Sequence, residues 1–264
     1  MRKVSKTTLS FLLLGYAFLY LPLFFVILNS FNDTEVPGIW KGFSFQVFLS
    51  VLEDKDLLYA ALNSFKIALI SATGAVFLGL LAAISTATKS SFWGKSLLDR
   101  GTIIPIFIPD IIIGFSLLML FVFMKSAFGF PKGRGCIIVS IGHILASVAY
   151  VCVTIRAKLL MFDKSIEDAA KALGAKSLTI FLQIKIPIIK ESILTGWLLA
   201  FTLSLDDLVI ASFLASPGNV TLPMRIFSYA RFGIDPKINA FATMLMTIVF
   251  ICLTLAYFIS RRKK

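Results

Sequence analysis

Apolar and polar positions alternate along this chain in blocks: long uncharged runs are separated by short charged segments. A hydrocarbon core about 30 Å thick takes about 20 apolar residues in a helix. Six runs reach that length, at 9–30, 65–87, 101–124, 136–155, 192–212 and 238–260. They leave no room for a separate soluble domain. The pattern therefore predicts an all-α polytopic membrane protein with six transmembrane helices, a single transmembrane domain over 1–264. The first run, Thr7 to Asn32, has no charge and follows the basic start MRKVSK. It is far longer than the about 7–15 apolar residues of a signal peptide and reads as a retained span. The third run contains Pro105, Pro109 and Asp110, which predicts a kink or break. Repeats of 20–50 residues and low-complexity segments are not visible.

Composition agrees. The 264 residues are 58% hydrophobic and 15% charged, against about 45–50% and about 25% in soluble domains. The formal net charge is +12, but the charges lie between the spans. Of the 26 Lys and Arg, 17 fall in the two tails and the 88–100 and 156–191 loops, and nine fall on the other side. The positive-inside rule then places both termini and the 156–191 loop in the cytoplasm. A basic stripe interleaved with aromatics is missing, so nucleic acid is not an expected partner. Cys136, Cys152 and Cys252 all lie in apolar runs without a CxxC pair, and read as reduced packing residues. Gly94-Lys95-Ser96 matches the second half of a phosphate-binding loop, but Lys89 stands where its first glycine is required. ATP is therefore not an expected ligand of this chain.

The 163–187 segment is the most specific signal. Ser165 with Asp168 three positions on forms a variant capping box. Ile166, Ala169, Ala170 and Leu173 make an apolar face, and Gly174 suits a left-handed helix end. Ser177 can start a second helix carrying Leu178, Phe181, Leu182 and Ile186, with Pro187 leading to the next span. A cytoplasmic helix–Gly–helix hairpin with an apolar face needs something to dock on. The plainer reading is an amphipathic loop lying on the lipid surface.

This hairpin resembles the EAA motif of permease subunits of ABC importers: E-A-A, three residues, G, nine residues, I-x-L-P. Asp168-Ala169-Ala170, Gly174, Ile184, Ile186 and Pro187 fall at that spacing, with Asp168 for the usual Glu (Glu167 precedes it) and Ile186 for Leu. Gly196–Phe213, Thr221–Arg231 and the Pro-Asp of Ile108–Phe121 are similar to permeases of bacterial polyamine importers, most closely those of putrescine importers, then the spermidine/putrescine type. The resemblance covers nearly the whole chain. It implies a type I ABC importer permease fold, with 163–187 as the loop that seats on a cytoplasmic ATPase dimer. It also implies a second homologous permease, a periplasmic polyamine-binding protein, and ATP and Mg bound by the ATPase. No covalent chemistry is implied for this chain, which also meets membrane lipid. ATP binding would pull on the hairpin and rock the spans between inward- and outward-facing states.

Asp206 and Asp207 are the only charged residues from Ser192 to Phe213. Ionisable groups inside a membrane normally face protein, water or substrate. Carboxylates along an aqueous path replace part of the hydration that an organic dication loses. Ser192, Thr195, Leu199, Thr202 and Asp206 share one helical face, and Ser140, His143, Ser147, Tyr150 and Thr154 share another in span four. Two such stripes are candidates for lining one cavity. Asp206, Asp207, Asp110, Thr202 and Tyr150 are the candidate path residues. The competing readings are structural: an Asp capping a periplasmic helix or pairing with Arg225 or Arg231, His143 as a hydrogen-bonded packing residue, and Ser and Thr as helix–helix contacts. A secondary transporter with a proton relay through Asp110, Asp206 and His143 is the rival from another class, and a membrane subunit with no transport path is the third.

Overall fold

The computed structural model describes residues 5–32, 34, 39–87, 93–232 and 236–261, with side chains at 6, 232, 252–253 and 255–261 left out. The Lys89 position noted above, the Cys252 side chain and most of the basic tail lie outside the described part.

Twelve α-helices are described. In chain order α1 is Lys6–Asn29, α2 Gln46–Glu53, α3 Lys55–Ala87, α4 Lys95–Ile103, α5 Asp110–Phe128 and α6 Cys136–Leu160. They are followed by α7 Lys164–Ala172, α8 Ser177–Ile180, α9 Ile186–Asp206, α10 Val209–Leu214, α11 Leu222–Phe232 and α12 Pro236–Arg261. Among the described residues, five helical stretches are long and apolar enough to cross a membrane, and Pro236–Ile251 in α12 is a shorter apolar stretch. All six predicted runs are thus helical, which agrees roughly with six spans. Large apolar side chains stand exposed along them, such as Phe18 of α1 and Phe123 of α5, as contact with lipid tails or other apolar surface requires.

The chain forms two compact units, Met1–Tyr59 with Arg225–Lys264, and Ala60–Met224. In the first, α12 packs on α1 and α2. Asp54 accepts hydrogen bonds from Leu57 N, Tyr229 and Lys237, and Asp56 pairs with Arg225 at 3.0 Å. Arg225 thus has a carboxylate partner inside its own unit.

The second unit holds the candidate sites. In it α6 packs along α9, and α10 packs against α5 and α6. Ile189, Gly196, Ala200 and Ser204 form the buried face of α9. A Cβ on Gly196 would stand 3.2 Å from Val151 Cγ1, so the glycine sets how closely the helices approach. Two spans begin or end differently from the expectation. Span three starts at Asp110 rather than 101: Ile104–Phe107 is a 3-10 turn, Ile108 is extended, and Pro109 precedes the helix. A residue before proline is pushed out of helical geometry, which accounts for the extended Ile108. Span five does not run unbroken to 212. It ends at Asp206, Asp207 is extended, and the chain resumes as α10.

Candidate functional site

The break after α9 builds the first site. Extended backbone at Asp207 leaves the first amides of α10 without carbonyl partners, and the Asp207 carboxylate accepts from Ile210 N at 3.2 Å and Ala211 N at 3.0 Å. This is the same service an N-cap side chain performs. The seat of α10 depends on two glycines. A Cβ on Gly142 would lie 2.6 Å from Leu214 Cδ1, and one on Gly114 would lie 3.2 Å from the backbone of Ile210. Small residues on α5 and α6 thus let α10 approach and bring Asp207 against α6.

There Asp207 meets His143, which is fully buried with its neighbours Ser140 and Ser147. His143 Nε2 lies 3.1 Å from Asp207 Oδ2, although Nε2 has no well-aligned hydrogen-bond partner. On the other side of the ring, Nδ1 lies 2.6 Å from Ser204 Oγ. Asp110, at the first turn of α5, lines the same space. These groups enclose a cavity of about 90 Å³ together with Ser147, Tyr150 and Leu203. The result is a small polar pocket with two carboxylates, a phenol and an imidazole on its walls.

Of the predicted path residues, Asp110, Tyr150 and Asp207 therefore come together. Asp206 and Thr202 do not join them: both are exposed on this chain, and Thr202 spends its hydroxyl on the α9 carbonyls of Leu198 and Leu199. The two polar stripes do not line one cavity within this chain. Ser140, His143 and Ser147 of the span-four stripe are buried, with His143 on Ser204 of α9, whereas Thr195, Thr202 and Asp206 of span five are exposed. Ser204 was absent from the expected set. Its signal was present in the Gly196, Ala200, Ser204 spacing of small residues, which marks a helix-packing face.

The second site is the hairpin. Its first helix is capped by Asp163, whose Oδ1 accepts from Ser165 N at 2.9 Å, and not by Ser165 as expected. Asp163 lies two residues earlier, where extended backbone frees its side chain to reach forward. The helix end is as expected. Gly174 has φ +81°, Gly174 N donates to Lys171 O, and Ala175 N donates to Ala170 O, the paired bonds of a left-handed cap. The second helix is α8, a π-helical turn at Phe181–Lys185, and then α9 with Pro187 in its first turn. Glu167 ties the two arms, 2.9 Å from Lys171 and 2.8 Å from Lys185. The Lys185 ammonium, and next that of Lys171, hold the Glu167 carboxyl below the usual carboxylate range. A depressed carboxylate contributes stability above its unfolded value and loses it as pH falls through the folded one, so this tie is complete at neutral pH. Asp168 and Ala169 point outward, Ala170 and Ile184 are half-buried, and Pro187 is exposed. Leu173 and Leu178 are 89% and 67% exposed, so the tip is apolar and uncovered.

Comparison with known proteins adds the following. The family model described as "binding-protein-dependent transport system inner membrane component" matches residues 75–263. The chain is 42% identical over 251 residues to the putrescine transport system permease protein PotI of Escherichia coli, covering 95% of this chain and 89% of that one. It is 35% identical over 253 residues to the spermidine/putrescine transport system permease protein PotC of Haemophilus influenzae, covering 96% of each. Among solved structures, a chain of a bacterial ABC transporter involved in import of the acidic polysaccharide alginate superposes with TM-score 0.65 at 17% identity over 99% of both chains. A chain of an amino acid ABC transporter gives TM-score 0.56 at 21% identity over 81% of this chain and 98% of that one. Both share the fold.

Proposed function

The chain belongs to the family of binding-protein-dependent transport system inner membrane components, and on that premise we propose that it is the permease subunit of an ATP-driven putrescine importer. The observation that carries the cation reading is the pocket where α5, α6 and the α9–α10 break meet, with Asp110 and Asp207 on its walls. A dication crossing here exchanges lost hydration for carboxylates and the Tyr150 hydroxyl. Asp206, one residue away and exposed, extends the acidic lining toward whatever faces this chain. The 42% identity to a putrescine permease, against 35% to a spermidine/putrescine permease, favours the smaller diamine. Spermidine is the second reading, since that relative also matches nearly the whole chain.

The 163–187 hairpin is the coupling element. Its apolar tip and outward Asp168 seat on a separate cytoplasmic ATPase, which binds ATP and Mg. A second permease of similar fold and a periplasmic polyamine-binding protein complete the machine, with both termini in the cytoplasm. ATP and the loaded binding protein must favour the outward-facing state over the inward-facing one, since a ligand shifts an equilibrium only by its differential affinity.

The test is uptake of labelled putrescine by the reconstituted complex with its binding protein, for wild type, Asp206→Asn, Asp207→Asn and the double variant, with assembly checked in each sample. Uptake falling by about tenfold or more in Asp207→Asn with assembly retained supports the carboxylate path. Normal uptake in all three variants returns both residues to a structural role and moves selectivity outside this chain.

A further inference from the structure

We propose that His143 is a positioning residue whose protonation state sets how much negative charge the Asp110–Asp207 pocket offers an organic ammonium. The inference rests on the cation-path reading above.

Three observations carry it. His143 is 2% exposed, with Nδ1 hydrogen-bonded to Ser204 Oγ and Nε2 lying 3.1 Å from Asp207 Oδ2. Asp207 is itself fixed by two α10 amides, so its carboxylate cannot swing away from the ring. Both groups line the same small cavity as Asp110. A packing histidine needs no carboxylate, and a capping aspartate needs no histidine. Here each restrains the other at the wall of a polar void.

The charge states follow from the donor inventory. An ionised carboxylate only accepts, so neutral His143 keeps its proton on Nε2 and accepts the Ser204 hydroxyl proton at Nδ1. In that state the Asp207 carboxylate faces the pocket beside Asp110 with no neighbouring cation among the described pocket walls to offset it. Protonated His143 donates from both nitrogens, and Ser204 turns to accept. The imidazolium then neutralises Asp207 in place and stands as a cation where another cation must pass. Among the described residues, the ionisable groups facing the ring across this pocket are Asp110 from α5, Asp207 from the α9–α10 break and Tyr150 from α6 itself. Neither carboxylate has Lys or Arg among the pocket walls to offset the change.

The readout is the number of putrescine molecules moved per ATP hydrolysed by the full reconstituted complex, with saturating loaded binding protein, from about pH 5.5 to 8, the range in which imidazoles titrate. Taking a ratio removes effects of pH on the ATPase itself. The ratio is expected to fall at least about fivefold on acidification in wild type, as one added charge near the path implies, and to lose that dependence in His143→Gln, which keeps a donor but cannot titrate. A wild-type ratio flat with pH, or an equal fall in His143→Gln, overturns the proposal. Should the buried substitution prevent assembly, Ser204→Ala keeps the imidazole and removes only its Nδ1 partner. The midpoint of the pH profile then moves, and an unmoved midpoint counts against the proposal in the same way. Asp207→Asn separates the two readings. If it lowers uptake while His143→Gln changes nothing, the cation path stands and only the role of His143 fails. If Asp207→Asn changes nothing, the path reading fails first.

Discussion

Asp207 shows how a single residue is drawn into two tasks by its place at a chain break. Its backbone leaves the helix, its carboxylate takes up the first α10 amides, and the same oxygens face His143. Asp206, with the same side chain one position earlier, is exposed and makes none of these contacts. The α10 seat that creates this asymmetry depends on glycine. Gly142→Ala places a methyl group 2.6 Å from Leu214 Cδ1 and 2.9 Å from Ile210 Cγ2, two packed side chains rather than flexible ends at a surface. The expected result is a loss of about 1–3 kcal/mol, the usual size of an overpacking penalty, read as a lower unfolding midpoint of the purified protein. A midpoint equal to wild type means that α10 is held by something other than this close approach. The charge of the Asp pair was plain in the sequence. Which of the two meets the histidine was not, because that depends on where the helix stops.

At the scale of elements, the 163–187 hairpin was the most legible part. Gly174 at the turn, the apolar positions at helical spacing and the proline entering the next span all appear in the structure as expected. The tie between its arms was not legible. Glu167 and Lys185 are 18 positions apart and meet only because the turn folds the second arm back. The π-helical turn at Phe181–Lys185 was also unseen; such turns arise where a helix is strained and often sit at functional sites. Gly174→Pro removes both the positive φ and the amide that closes the first arm. Its expected outcome is loss of ATP-coupled uptake by about tenfold or more with membrane insertion retained. Uptake at wild-type rates in that variant means that the hairpin does not carry the coupling.

For the whole molecule, sidedness is the property on which the proposed function rests, since that function assigns one site to a path through the membrane and the other to an ATPase below it. A lysine-to-cysteine change at Lys176 should react with a membrane-impermeant maleimide only from the cytoplasmic face. Ser216→Cys, in the loop after α10, should react only from outside. The reverse labelling overturns the orientation and, with it, the assignment of the hairpin to a cytoplasmic partner. What the sequence determined by itself was the class of protein: six apolar runs, the sidedness expected from Lys and Arg, and a hairpin whose spacing resembles a motif of the family. These follow from local composition and helical period, which the solvent reads one element at a time. Only the tertiary structure decided which polar groups meet. His143 on α6 lies 61 positions before Ser204 on α9, and Asp207 follows at a break whose position depends on packing against Gly114 and Gly142. The polar stripe of span five pointed the other way for the same reason. A helical stripe says which residues share a face, and only the neighbouring helices say what that face is turned toward.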